Sequence, residues 1–255
     1  MLLTAGCSAA PESVPKSDAA VAPGAHNAAP MIPAGPRLRV VLMSSLPLVH
    51  GDGVDMHAMI AGKTDPHPLH EQLNAVHDLI VADSLDAAAL AGADLVILVQ
   101  PPALPPETLV AIDDYVRGGG KLLLFADPVL EWHSGKGLGD PLGPLRSSLM
   151  SPLLKHWGLE LVDPDLEMVR LRPSGAVLVH PGRFAVLPGK TGDGGCAVEM
   201  DGHVARCRPG KGRAVLVADA DLIDPAMIND SAESADANSR FVATLISDLA
   251  AKDTS

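Results

Sequence analysis

Short, uninterrupted apolar runs alternate with stretches of helical periodicity along most of the chain. Each run is bounded by glycine, proline or a polar residue, and such runs are typical of strands that are buried on both faces of a parallel sheet. They predict buried strands at 94–99, 121–126 and 212–218, and further strands are predicted at 37–43, 79–81 and 159–162.

The segments between these runs carry apolar residues at helical spacing. The clearest is 105–117, which has proline at its start, Glu107 in its first turn and an apolar face that includes Ile112 and Val116. The glycines at 118–120 follow the end of this helix, so we interpret them as a stop signal and not as a phosphate loop. Further helices are predicted at 68–77, 85–91, 145–157 and 241–250.

The alternation of strands and helices predicts one α/β domain over 37–250. We expect a three-layer, flavodoxin-like parallel sheet with right-handed crossovers. The stretch 167–208 differs, because its β-type runs are short and are split by proline and glycine, which predicts a small antiparallel insert. Residues 251–255 form a short tail.

The amino-acid composition limits what the core can consist of and which partners the protein can bind. Aromatic residues make up only 2% of the 255 residues, so the core must consist of Leu, Val, Ile and Ala. The net charge of -12 argues against nucleic acid as a partner, since a nucleic-acid-binding protein needs a basic surface.

The N-terminal residues 1–7, MLLTAGC, predict a lipid anchor. Ala5 and Gly6 directly before Cys7 match the cleavage box of a bacterial lipoprotein signal, although the apolar stretch is shorter than a complete signal. We therefore expect a truncated signal with lipidation of Cys7, followed by a flexible Ala/Pro-rich linker at 8–36. The alternatives are a chance sequence at a disordered terminus and, if the start as written is real, a cytoplasmic protein.

Cys196 and Cys207 flank a polar turn between two short predicted strands. In an oxidising compartment this spacing favours a hairpin disulfide, and the alternative is a pair of free, half-buried thiols. A zinc site is not expected, because the chain has no CxxC motif.

Polar residues follow several of the predicted strands. They are Ser44, Ser45, Gln100, Asp127, Asp219 and Asp221. Because ligands gather at the carboxyl ends of parallel strands, we predict a ligand or partner rim here, to which His50 and Asp52 of the loop 50–59 contribute. In the alternative interpretation the aspartates cap the segments that follow each strand.

The sequence has few motifs that indicate metal binding or catalysis. His50, Asp52 and His57 match no compact metal-binding pattern, so we predict neither a metal site nor a cofactor. The chain has no GxSxG elbow and no cysteine at a strand-to-helix turn, so we assign no catalytic residue. Two alternatives stay open: a hydrolase or transferase that uses Asp127 and Asp219, with His50 or His57, and a purely structural envelope module.

Three segments together resemble a known family. They are DAAALAGADLVILVQPPALPPETLVAIDDYVRGGGKLLLFADP (86–128), SPLLKHWGLELVDPDL (151–166) and GKGRAVLVADADLID (210–224) with Asn238 before the closing helix. In their order of buried strand, Pro-containing turn, helix, Gly-Gly turn and Asp-Pro, they resemble the auxiliary domain of gliding-motility-type ABC transporter systems.

The resemblance implies a class I glutamine amidotransferase-like fold without that family's nucleophile. It further implies a non-enzymatic accessory or binding component of an ABC-type transport system. The expected partners are the permease and ATPase subunits, and the expected location is the periplasmic face of the cell envelope.

Overall fold

The computed structural model describes residues 36–51, 54, 57, 60–132, 143–188, 195–224 and 232–251. The elements along these residues are β1 (Arg39–Ser44), α1 (Pro68–Val76), β2 (Asp78–Val81), α2 (Ala87–Leu90), β3 (Leu95–Val99), α3 (Pro106–Arg117), β4 (Lys121–Phe125), α4 (Ser151–His156), β5 (Leu159–Val162), β6 (Met168–Arg170), β7 (Val177–Val179), β8 (Arg183–Val186), β9 (Ala197–Glu199), β10 (Val204–Cys207), β11 (Arg213–Val217) and α5 (Ala232–Ala250).

Seven of the strands in the described ranges form one sheet, in the order β2-β1-β3-β4-β11-β10-β9. The first five are parallel, and β10 and β9 extend the sheet in antiparallel fashion beside β11. The parallel part has the 2-1-3-4-5 order of flavodoxin-like folds. The predicted three-layer α/β fold, flavodoxin-like or class I glutamine amidotransferase-like, is confirmed.

Successive residues of the central strands point to opposite faces, and each face has its own apolar core. On one face Leu42, Ile97 and Leu123 pack with the buried sides of α1 and α5 and with Trp132. On the other face Val41 and its alternating partners pack with α2, α3, α4 and Trp157. The sheet is therefore covered by helices on both sides.

The predicted antiparallel strands are present but belong to different sheets. β5 pairs with β8 and β6 pairs with β7 in two small antiparallel sheets, whereas β9 and β10 join the main sheet. The structure joins Cys196 and Cys207 in a disulfide across the β9–β10 hairpin, with their Cα atoms 3.9 Å apart.

Two predicted helices have different bounds in the structure. The helix predicted at 145–157 begins only at Ser151, because the backbone of Arg146 and Ser148 is hydrogen-bonded to Leu130 and Asp127 in the segment after β4. Helix α5 begins at Ala232, earlier than the predicted 241, although its first turns have no apolar stripe.

Helices α3 and α4 are joined by the carboxylate of Asp113. Its oxygens accept hydrogen bonds from Trp157 Nε1 at 2.7 Å and from Arg117 Nε at 2.7 Å. Burial raises the pKa of Asp113, but the hydrogen bonds from Trp157 and Arg117 and the charge of Arg117 outweigh burial and leave this pKa below its ordinary value. A lowered carboxyl pKa contributes stability above the ordinary pKa, and that stability is lost as the pH falls through the folded-state pKa.

We expect Asp113→Asn to lower the free energy of unfolding by about 1–2 kcal/mol at neutral pH, because a charge-assisted hydrogen bond is lost. Urea denaturation at neutral and acidic pH measures the effect, which should shrink in acid. The matched control is Asp114→Asn, since Asp114 is the exposed neighbour on the same helix. Equal costs for the two variants would contradict this account.

Candidate functional site

Three acidic side chains lie buried where β4 and β11 end. Asp127, Asp219 and Asp221, called the aspartate cluster below, are each 0% exposed. The strands β4 and β11 are parallel neighbours, so the residues that follow them meet at the carboxyl edge of the sheet. The sequence predicted this meeting point.

Asp127 ties the end of β4 to the end of β11. Its Oδ1 accepts from the Val129 N–H at 2.8 Å, and its Oδ2 accepts from the Ala220 N–H at 2.8 Å. Burial raises the pKa of Asp127 to about 6, although these N–H donors favour the charged form.

Asp219 ties the edge to β7 and to the 3-10 turn Asp221–Ile223. Its Oδ2 accepts from the Val179 N–H at 2.6 Å, and its Oδ1 accepts from the Leu222 N–H at 2.7 Å. Burial and the charges of Asp127 and Asp221 raise the pKa of Asp219 well above its ordinary value.

Asp221 differs from the other two carboxyls in its hydrogen bonding. Its Oδ2 accepts from the Glu131 N–H at 2.6 Å, but its buried Oδ1 has no hydrogen-bond partner in the described structure. Burial, followed by the charge of Asp127, raises the pKa of Asp221 to about 8. The protonated form of this carboxyl is therefore favoured relative to that of an ordinary aspartate.

Gln100 fastens the end of β3 to the same edge. Its side-chain amide donates to the carbonyls of Asp127 at 3.1 Å and Leu145 at 3.0 Å, and its Oε1 accepts from the Asp127 N–H at 2.9 Å. Its backbone has φ of 40°, a conformation that is uncommon outside glycine. The hydrogen bonds on both sides hold it there.

Ser44 and Ser45 also lie at this edge, but their hydroxyl groups bond within the fold. Ser44 Oγ accepts from the Leu46 N–H at 2.9 Å, and Ser45 Oγ donates to the Gln100 carbonyl. His50 is exposed, and Asp52 and Cys7 lie outside the described residues. The rim that the sequence predicts is therefore brought together in part.

Two residues that the sequence analysis did not place at this edge help to hold it. Asn238 of α5 accepts from the Val177 N–H at 2.7 Å and donates to the carbonyls of Val177 at 2.8 Å and Leu222 at 2.7 Å. His67 caps α1 by accepting from the Leu69 N–H, so its Nε2 carries the proton and donates to the Ile223 carbonyl at 2.8 Å.

Only weak signals in the sequence point to these two roles. Proline directly after His67 marks the start of a helix, where a capping side chain is common. Asn238 belongs to one of the segments that resemble the family, but nothing in its own chemistry marks this role in the sequence.

The aspartate cluster holds neighbouring segments of the chain together through hydrogen bonds. Its buried oxygens accept backbone N–H groups from three segments: the one after β4, the one after β11, and β7. Glu131 and His180, whose side chains lie 3.3 Å apart, are partly exposed beside it. Within the described residues no group of three or more His, Cys, Asp or Glu side chains is arranged to hold a metal ion.

A family model described as "ABC-type uncharacterized transport system" matches residues 38–183, which is more than half of the chain. No curated protein matches the sequence. No helix in the described part of the chain has the length and apolar character of a membrane span.

Several solved structures are similar. The exo-beta-1,4-mannosidase Op5Man5 from Opitutaceae bacterium strain TAV5 has 14% identity and a TM-score of 0.48 over 84% of this chain, which spans only 36% of that protein's length. The cytoplasmic protein STM1381 from Salmonella typhimurium LT2 has 14% identity and a TM-score of 0.43, covering 82% of this chain and 99% of that one. A thua-like protein from Bacteroides uniformis ATCC 8492 has 11% identity and a TM-score of 0.43, covering 88% and 94%. The fold assignment rests on the strand order and register described above.

Proposed function

Because the chain belongs to the family described as "ABC-type uncharacterized transport system", we propose that it is a non-enzymatic, extracytoplasmic accessory component of such a system, tethered by a lipid on Cys7. The family match over residues 38–183 is the observation that carries the transport role. The permease and ATPase subunits of its own system are the partners that we propose.

The carboxyl edge of the sheet supports a role without catalysis. In this class of fold it is where a ligand or substrate would bind. Here Asp127 and Asp219 accept backbone N–H groups with both oxygens, and the Gln100 side chain is bonded to backbone on both sides of Asp127. Every polar atom of these side chains thus already has a backbone partner within the fold.

Two features support the extracytoplasmic location. The disulfide between Cys196 and Cys207 is a bond that persists in oxidising compartments and is rare in the cytosol. Cys7 follows the small residues Ala5 and Gly6, as the modified cysteine of a lipoprotein does.

The anchor is tested by cell fractionation and by mass spectrometry of the N-terminus of membrane-extracted protein. We expect a diacylglyceryl mass on Cys7 and release of the Cys7→Ser variant from the membrane fraction. Unmodified Cys7 in protein that stays in the cytoplasm would overturn the tether and the location.

The transport role is tested by purifying the tagged, full-length protein together with the permease and ATPase subunits. We expect a complex that survives detergent extraction. Protein that is folded by circular dichroism but does not associate with these subunits would contradict the role, and the Cys7→Ser variant separates loss of the anchor from loss of binding.

The unpartnered, buried oxygen of Asp221 favours a second candidate function. Carboxyls with raised pKa values are common in active sites, so a hydrolase or transferase at this edge is the alternative proposal. Activity profiling of wild type against a folded Asp127→Asn variant distinguishes the two, because an accessory protein should show no activity that the substitution abolishes.

A further inference from the structure

The hydrogen bonds at the carboxyl edge of the sheet indicate where its carboxyl groups carry a proton. We propose that the aspartate cluster is a proton-operated latch, in which a proton held on Asp221 keeps the carboxyl edge closed and loss of this proton in mild alkali loosens it.

The backbone N–H donors around each carboxyl oxygen indicate where the proton lies. Among the described residues, five of the six oxygens in the cluster accept a backbone N–H, and Oδ1 of Asp221 is the exception. A buried carboxylate oxygen without a donor is costly, whereas a protonated carboxyl supplies a donor of its own. The unpaired oxygen therefore places a proton on Asp221; the pKa of Asp219 is also raised, by burial and by the charges of Asp127 and Asp221, although both of its oxygens are paired.

The charged groups around Asp221 are mostly acidic. Asp127 and Glu131 follow β4, and Asp219 and Asp224 follow β11. His180 lies in the β7–β8 turn, and His67 directly precedes α1.

Neither histidine lies as a cation against Asp221, although the charge of His180 favours the ionised form of Asp127. His180 lies against Glu131 at the partly exposed rim, 3.3 Å from its carboxylate. Burial lowers the pKa of His67, and its Nδ1 accepts the Leu69 N–H, so its ring is neutral. Among the described residues, ionised Asp221 would thus face the like charges of Asp127, Glu131 and Asp224.

The direction of the pH effect is the same for each raised carboxyl pKa. The pKa of Asp221 is raised to about 8, so between an ordinary aspartate pKa and about 8 the closed form binds more protons than an open one. Closure is favoured in acid and weakens as the pH rises through this window. Ionisation then adds repulsion from Asp127, which outweighs the hydrogen bond from the Glu131 N–H that favours the ionised form.

Hydrogen exchange of the full-length protein tests the latch, read by mass spectrometry at about pH 6 and about pH 9 with labelling times scaled for intrinsic exchange. We expect peptides that contain Glu131 and Leu222 to exchange up to about a hundredfold faster at the higher pH, because the ionised fraction of a carboxyl with a pKa of about 8 rises from about 1% at pH 6 to about 90% at pH 9. Peptides from α3 should not change.

The variant Asp221→Asn keeps an oxygen for the Glu131 N–H and cannot ionise, so the pH response of exchange in these peptides should become much smaller, and Asp219, whose pKa is also raised, accounts for what remains. The matched control is Asp83→Asn, which removes an exposed carboxyl and should keep the wild-type response. A response in Asp221→Asn equal to wild type, or no response in wild type, would overturn the proposal.

Infrared spectroscopy of the wild type alone gives a second test that requires no variant to fold. We expect the carbonyl stretch of a protonated, buried carboxyl at neutral pH, and its loss above about pH 9. If this band is absent at neutral pH, the latch does not exist, whatever the exchange data show.

Discussion

Asn238→Asp is expected to lower the free energy of unfolding by about 3 kcal/mol or more at neutral pH. The Asn238 side chain is 1% exposed, and its amide nitrogen donates to the carbonyls of Val177 and Leu222. A carboxylate of the same shape cannot donate to them, and it adds a negative charge close to the aspartate cluster. Urea denaturation followed by circular dichroism measures the loss.

Acid should reduce this loss, because the new carboxyl becomes protonated and regains one donor. The control is Asn74→Asp, the same chemical change at an exposed position of α1, for which we expect a change within about 0.5 kcal/mol. If Asn238→Asp costs no more than this control, Asn238 does not hold β7 and the 3-10 turn in place.

Gly210→Ala is expected to destabilise the protein by about 3 kcal/mol or more, through strain and overpacking together. Gly210 has φ of 59°, and a Cβ atom there would lie 2.6 Å from the carbonyl oxygen of Arg117. That carbonyl ends α3 and accepts from the Lys211 N–H at 3.0 Å. The substitution would push the β10–β11 turn away from the helix, and thermal unfolding measures the cost.

Gly62→Ala separates the two causes. Gly62 has nearly the same φ, 66°, but a Cβ atom there meets nothing within 4 Å. It should therefore cost only the left-handed backbone strain, about 1–2 kcal/mol. Equal losses for the two variants would show that the close approach to Arg117 contributes nothing.

The parallel part of the fold is predictable from the sequence because its signal is local. Runs such as Leu95–Val99 are apolar at every position, and only a strand covered on both faces tolerates that. The order of these runs along the chain, together with right-handed crossovers, leaves few arrangements of the sheet. The same logic places Gln100, Asp127 and Asp219 at one edge, since each follows such a strand.

The hydrogen bonds of the site are not predictable in this way. Asp127 binds the Ala220 N–H across 93 positions of sequence, and Asp219 binds the Val179 N–H across 40. A lone aspartate after a strand has the same local pattern whether it binds a ligand or fastens a distant segment. The distinction depends on burial and on donors supplied by other elements.

The antiparallel strands and the long helix α5 show two further limits. Alternating short runs such as Ala197–Glu199 and Val204–Cys207 predict a hairpin, but a hairpin can extend the main sheet or form a separate one with the same pattern. The first turns of α5 bury Ala237 and the polar Asn238, so hydrophobic periodicity does not detect them.

The two tryptophans of the sequence, Trp132 and Trp157, lie in different core layers on opposite faces of the sheet. Trp132 packs on the ring of His67, which is hydrogen-bonded beside the aspartate cluster, whereas Trp157 donates to Asp113 between α3 and α4. Replacing either one by phenylalanine leaves a single tryptophan that reports on one layer. The intrinsic fluorescence of this protein can therefore show whether the two layers separate at the same denaturant concentration or one before the other.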